Sequence, residues 1–271
     1  MLAESFDWAT RRIPLDPLLS ALERAWVRRF VRQRNYAARV VPKHLHGGSY
    51  FTEAAETIFE EAPKRKPPGT ALDRIAQSVD LLDKFTDRQS EDAFRRVTAA
   101  ALVAGSNQTM VDSGTLRPAF GLKSDPVKRY LKARSAEQLG RDVDASTKKR
   151  LRALLVRGYE EGWRQSRLIK EIRELYDGFT YSRAKVIAIY EVGNAYSEGS
   201  LQQARDLESD GIAMEKAWAT AANPCPICDP NGAAGWIPLE ESFPSGHDRP
   251  MAHGRCRCSL MTRTVRAERA A

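Results

Sequence analysis

Cys225-Pro226-Ile227-Cys228 and His253-Gly254-Arg255-Cys256-Arg257-Cys258 hold all four cysteines of the chain, with residues 229–252 between them. A two-residue gap lets a tight turn aim both sulfurs inward. Two such turns brought together close a tetrahedron of donors, which is the layout of a structural zinc site. Zinc takes four ligands, and five candidates are present: Cys225, Cys228, His253, Cys256 and Cys258. In an extended segment Cys256 and Cys258 share one face, so an all-cysteine set is open, as is a set in which His253 replaces one of them. Cys225, Cys228 and Cys258 are expected as ligands ahead of the other two.

Competing chemistries fit these residues less well. The first residues, Met1-Leu2-Ala3-Glu4, lack the basic and apolar regions of a secretory signal. The expectation is therefore a protein made and used in a cytoplasm, where a disulfide is disfavoured. A thioredoxin-like C-x-x-C opens a helix, whereas Asp229-Pro230-Asn231-Gly232 reads as a turn. A zinc deaminase pairs its P-C-x-x-C with H-x-E, and His44 and His46 upstream lack that glutamate. Nucleophile-elbow, P-loop, H-E-x-x-H and kinase patterns are absent from the sequence. The expectation is a non-catalytic protein.

Outward from the cysteines, the segment 218–260 carries Pro224, Pro226, Pro230, Pro238, Pro244 and Pro250 together with strand and turn signals such as Asn231-Gly232. Everything upstream reads as helix. Leu15, Leu18, Leu19, Leu22, Trp26 and Phe30 recur at three- and four-residue steps on one face, while Arg24, Arg28 and Arg32 step by four along another. A loop is expected after Pro42, taking in His44 and His46. Pro63-Lys64-Arg65-Lys66-Pro67-Pro68-Gly69 cannot continue a helix and reads as a boundary. Further helices are expected from Thr70, from Ser90 toward Gly105, and over 126–139, 147–163, 166–176 and 181–207. Glu191, Asn194 and Glu198 share one side of the last, and their spacing reads as a solvated or capping face.

The fold class expected is mainly α: an extended helical body with a small C-terminal Cys/His zinc knuckle containing short β-strands. The expected organisation is a basic N-terminal helical arm (1–68), a helical body (69–210), a zinc-binding module (211–262) and a basic tail (263–271).

The chain has 271 residues and a formal charge of +8, from 43 Lys plus Arg against 35 Asp plus Glu. The excess sits at the ends. Arg11, Arg12, Arg24, Arg28, Arg29, Arg32, Arg34, Arg39 and Lys43 oppose only Asp16 and Glu23, and Arg255, Arg257, Arg263, Arg266 and Arg269 oppose Glu268. Arg24, Arg28, Arg32, Arg263 and Arg266 are the candidate contacts for phosphates or an acidic partner. The same arginines leave open a second reading, a zinc-dependent nucleic-acid-binding regulator. No apolar run approaches the roughly 18–20 residues of a membrane span, so no membrane association is expected.

The second half, over about 120–262, resembles the phage Mu F-like, or minor head protein, family of head-morphogenesis proteins. The likeness is carried by Arg183-Ala184-Lys185-Val186-Ile187-Ala188-Ile189-Tyr190-Glu191, by Trp218-Ala219-Thr220, by the Cys225/Cys228 pair, Gly232 and Phe243, and by Pro250-Met251-Ala252-His253-Gly254-Arg255-Cys256-Arg257-Cys258. Tyr190 stands where the family usually has threonine, and Asn223 falls where an aspartate is common. The resemblance implies a few copies per virion inside the capsid, association with the portal and with capsid or scaffold proteins, and non-specific contact with double-stranded DNA. Assembly would take place in the host cytoplasm.

Overall fold

The computed structural model describes residues 15–46, 69–115, 117–134 and 136–265. They form α1 (Asp16–His46), α2 (Gly69–Asp80), a 3-10 turn (Leu81–Lys84), α3 (Arg88–Ser113), α4 (Asp125–Ala133), α5 (Ala136–Glu160), α6 (Gln165–Asp177) and α7 (Thr180–Ser209). Strand β1 (Met214–Ala219), the short helix α8 (Cys228–Ala233), β2 (Trp236–Pro238) and β3 (Ser259–Thr264) follow. Among the described residues the chain is mainly α, with the strands confined to the cysteine-bearing segment.

The apolar periodicity of α1 is the buried face: Leu15, Leu22, Trp26 and Phe30 are all buried. Helix α1 continues through Pro42 to His46, where a loop was expected. A proline costs an interior helix one backbone hydrogen bond. Burial of Val41 and Leu45 on either side of it, and the 2.9 Å contact of His44 Nδ1 with Ser78 Oγ, hold the last turn in place.

Three other boundaries differ from the expected ones. The helix expected over 126–139 ends at Ala133, and α5 begins at Ala136, well ahead of Thr147. Arg134 leaves helical geometry, at φ −112 and ψ 71, as its guanidinium reaches Glu191. Helix α3 starts at Arg88 rather than Ser90, because the Asp87 carboxylate accepts the Ser90 backbone N–H and hydroxyl and so acts as its N-cap.

The described residues separate into two units, one within 25–91 and 136–183, the other within 1–24, 92–135 and 184–271. In the first, Trp26, Phe30, Tyr176 and Phe179 stack edge to tilted face, with Phe30 and Phe179 centroids 5.6 Å apart. Buried beside them, Arg29 reaches Asp144 at 2.9 Å and Gln33 donates to the other oxygen of the same carboxylate at 2.8 Å. Gly140, expected to interrupt a helix, lies inside α5 facing the Arg29 guanidinium.

In the second unit the backbones of α3 and α7 meet. A Cβ on Gly105 would collide with the Tyr196 carbonyl, and one on Gly199 with the Leu102 carbonyl. Only glycine permits that approach, and it brings Ser106 Oγ within 2.6 Å of Gln203 Oε1 and Thr109 Oγ1 within 3.1 Å of the Ser200 carbonyl. The sheet has the order β2-β1-β3 and is antiparallel throughout. Its central strand is buried on both faces apart from Glu215. Even Lys216 is enclosed, donating from Nζ to the Leu239 carbonyl at 2.7 Å. One core joins this sheet to the helices, containing Met110, Leu201, Leu207, Trp218, Phe243 and Leu260 together with Cys228, Cys256 and Cys258.

Candidate metal centre

The Cys225 carbonyl accepts the backbone N–H groups of Cys228 and Asp229, both at 2.9 Å. This tight reversal puts Cys228 at the first turn of α8, so the segment expected to be a turn is a short helix. The N–H groups of Ile227 and Cys228 point back at the Cys225 sulfur. Burial works to raise the Cys225 thiol, but these N–H groups leave it below the ordinary thiol range. Asn231, fully buried, pins the far side: it donates to Ser245 Oγ at 2.7 Å and accepts the Ser245 N–H at 2.9 Å. Between the two cysteine clusters the chain is thereby folded back, and β1–β3 pairing, with Ala219 opposite Ser259, sets Cys258 beside the sheet.

All five candidate ligands converge. Cys225 Sγ lies 3.1 Å and Cys228 Sγ 3.6 Å from His253 Nε2, and Cys228 Sγ lies 3.7 Å from Cys256 Sγ. Two groups of three have every donor atom within 4.8 Å of the others: Cys225, Cys228 and His253, and Cys228, Cys256 and Cys258. Cys228 belongs to both. A tetrahedral zinc with sulfur ligands at about 2.3 Å has ligand–ligand edges near 3.8 Å. The two Cys228 contacts match that edge, so the residues present fit the ion. All four cysteines are free thiols, and His253 and Cys256 converge on the C-x-x-C pair, which distinguishes the cluster from an isolated redox dithiol.

The electrostatics are those of thiols competing for one negative charge. Cys258 is pushed down to about 5, first by a hydrogen bond from the Cys256 thiol and then, against burial, by the Ala221 N–H and the Trp218 indole. The Trp218 N–H is buried and has no oxygen or nitrogen partner among the described residues. Cys228 is pushed up to about 12 by burial and by the Cys258 charge, and Cys256 is raised further by serving as donor to Cys258. A divalent cation held here would take its cysteine ligands as thiolates, so the competition for one charge would end. Trp218 is the residue whose role the sequence hid: its place in a family pattern marked it, but not its position against a sulfur.

The arginine candidates separate. Arg24 and Arg28 are exposed. Arg32 is held by Asp87 at 2.6 Å. Arg263 pairs with Glu215 at 2.7 Å and lies 4.3 Å from the Trp236 ring centroid. Arg266 lies outside the described residues. Glu191, Asn194 and Glu198 are not a solvated face. Glu191 is 1% exposed and takes two hydrogen bonds from Arg134, at 2.5 and 2.8 Å. Asn194 is buried between Tyr130 and Arg249.

Residues 149–261 match the family described as Phage Mu protein F like protein, the recognition expected from the sequence. This segment, from within α5 to β3, is Mu F-like and contains every candidate metal ligand. No curated protein and no solved structure matches the chain.

Proposed function

We propose that this chain is a minor capsid protein that acts in phage head assembly without catalysing a reaction. The observation carrying this reading is the Mu F-like match over 149–261, a phage head family, together with the convergence of the match's cysteines and histidine into one cluster. In this reading the protein sits inside the capsid after assembly in the host cytoplasm, docked on the portal and on capsid or scaffold proteins. It touches packaged double-stranded DNA without sequence preference, through Arg24, Arg28 and the basic tail that includes Arg266.

Zinc is the ion we assign to the cluster, held by four of Cys225, Cys228, His253, Cys256 and Cys258. When bound it supplies no reactive position, because a site closed by thiolates serves as a staple. The organisation that goes with this is a basic arm, a helical body, the zinc-bearing segment 211–262 and a tail. Among the described residues no helix is long and apolar enough to cross a membrane.

The deciding experiment is mass spectrometry of purified heads from a phage encoding the chain, paired with deletion of its gene. Recovery of the protein in heads, and loss of DNA-filled heads on deletion, support the reading. Normal infectious heads without it overturn it. A regulator would instead be absent from particles and would prefer one DNA sequence.

A further inference from the structure

In the second unit, α4 and α7 border a cavity of about 460 Å³ whose walls include Arg129, Tyr130, Arg134, Asn194, Glu198 and Arg249. Its hydrogen bonds have a direction that can be followed atom by atom. Arg249 donates from Nε to Glu198 Oε2 and from Nη1 to Asn194 Oδ1, each at 2.6 Å. With Oδ1 turned to Arg249, the Asn194 amide nitrogen donates to the Tyr130 hydroxyl at 3.0 Å. Tyr130 oxygen is therefore an acceptor, and its own proton has to go elsewhere. Among the described residues nothing accepts it. Burial raises the Tyr130 pKa from 10.0, so the proton stays on at any ordinary pH.

Three acceptor groups of the cavity already hold an arginine. Glu191 is engaged by Arg134, Glu198 by Arg249 and Asn194 Oδ1 by Arg249. Donors are left over: the Tyr130 O–H, the second terminal nitrogen of Arg249, and the exposed Arg129, which has no ion pair among the described residues. Arg129, Arg134 and Arg249 against Glu191 and Glu198 leave one positive charge unmatched. A buried donor without an acceptor is costly, and the Tyr130 O–H and the remaining Arg249 nitrogen, with the exposed Arg129 beside them, call for an oxygen-bearing monoanion as the missing partner.

We propose that this cavity binds a carboxylate, delivered by an acidic side chain of a protein partner. The Arg129 guanidinium, the remaining terminal nitrogen of Arg249 and the Tyr130 hydroxyl suit the two planar oxygens of a carboxylate. Leu102 and Pro126 supply apolar wall for the methylene stem that carries it. Duplex DNA needs a basic track along successive phosphates, whereas this recess holds one group and one surplus charge. Identifying the partner as another head component rests on the proposed function; the chemistry of the site does not.

The test uses the full chain with side-chain amide NMR of the arginine Nε–H groups. The probes are N-acetyl-glutamate α-amide, the matching glutamine derivative and dimethyl phosphate. Saturable shifts at Arg249 and Arg129 with the glutamate probe alone support the site. Arg129→Gln, which leaves the buried network untouched, and Tyr130→Phe should each weaken binding on the order of tenfold, with melting curves reporting whether either variant has lost its fold. Equal shifts from the glutamine derivative, tighter binding of dimethyl phosphate, or no shift with any probe overturns the proposal. Because the readout needs only the isolated protein, absence of the chain from heads would leave this result standing, and the reverse also holds.

Discussion

Arg32 donates twice to Asp87, from Nη2 at 2.6 Å and from Nε at 3.2 Å, and Asp87 in turn caps the first turn of α3. An arginine placed by periodicity in a surface stripe is thus the partner of a buried carboxylate. The stripe therefore divides into two kinds of residue. Arg24→Glu with Arg28→Glu should leave the melting temperature nearly unchanged, since exposed substitutions usually shift stability by less than about 0.5 kcal/mol. Arg32→Ala strands Asp87 and should cost about 2 kcal/mol; denaturant titration of the two variants reads the contrast, and equal losses would refute it.

The same pair predicts a pH dependence. Burial works to raise the Asp87 pKa, but hydrogen bonds from Arg32 and Ser90 and the Arg32 charge outweigh it, leaving the pKa below 3.8. A lowered carboxylate pKa contributes stability that is present above the unfolded value and lost as pH falls through the folded one. Unfolding free energy should therefore drop below about pH 4 in the parent and drop less steeply in Asp87→Asn, which starts from a lower plateau. Parallel acid limbs would show that Asp87 is not the group responsible.

For the cysteine cluster, protein purified without chelator under reducing conditions should carry about one zinc per chain. Cys228 belongs to both converging groups, so Cys228→Ser should lose more zinc than any other single ligand substitution. Structural zinc sites are worth on the order of 10 kcal/mol to small metal-held folds, and chelation should lower the melting temperature steeply. Metal analysis across the five variants decides it: retention of zinc by Cys228→Ser removes that residue from the site.

The crossing of α3 and α7 gives a prediction of opposite character, about space rather than charge. Gly105→Ala and Gly199→Ala put a methyl group into backbone carbonyls and should destabilise by more than about 3 kcal/mol. Gly121, with open space around its missing Cβ, is the matched control, and Gly121→Ala should cost little. A stable, well-folded Gly199→Ala would mean that the helices part without penalty.

If DNA is a partner, affinity for unrelated duplexes should fall steeply between low and physiological salt, because phosphate contacts release counterions. The double variant Arg24→Glu, Arg28→Glu should weaken binding and flatten that slope. Binding that ignores salt would remove DNA from the partners.

Much of this was legible in the residues. The spacing of Leu15, Leu22, Trp26 and Phe30 fixes which face of α1 is buried, and the C-x-x-C and H-x-x-C-x-C spacings bring five donors together. What was not legible depends on partners distant in sequence. Pro42 is tolerated because Val41 and Leu45 pack on either side of it, and the break at Arg134 answers to Glu191, far along the chain. Glu191 and Asn194 looked like a wet helical side because local spacing gives a face but not what covers it. The capping role of Asp87 was hidden because Ser90, an equally favoured N-cap type, follows three residues on.

The shared core of helices and sheet also constrains the order in which the protein is made. Met110 on α3 belongs to the same cluster as Leu260 on β3, and Thr262 donates to Thr109 across that interval. Loop closure over so long a separation must precede the packing that rewards it. On the ribosome, α3 and α7 emerge with their mutual contacts available but with the sheet side of their core uncovered. Only when residues 256–264 have been translated do the last thiols and the third strand arrive together. Core closure, and with it completion of the proposed zinc site, is then one late event, so until that moment the nascent chain exposes apolar surface suited to a chaperone.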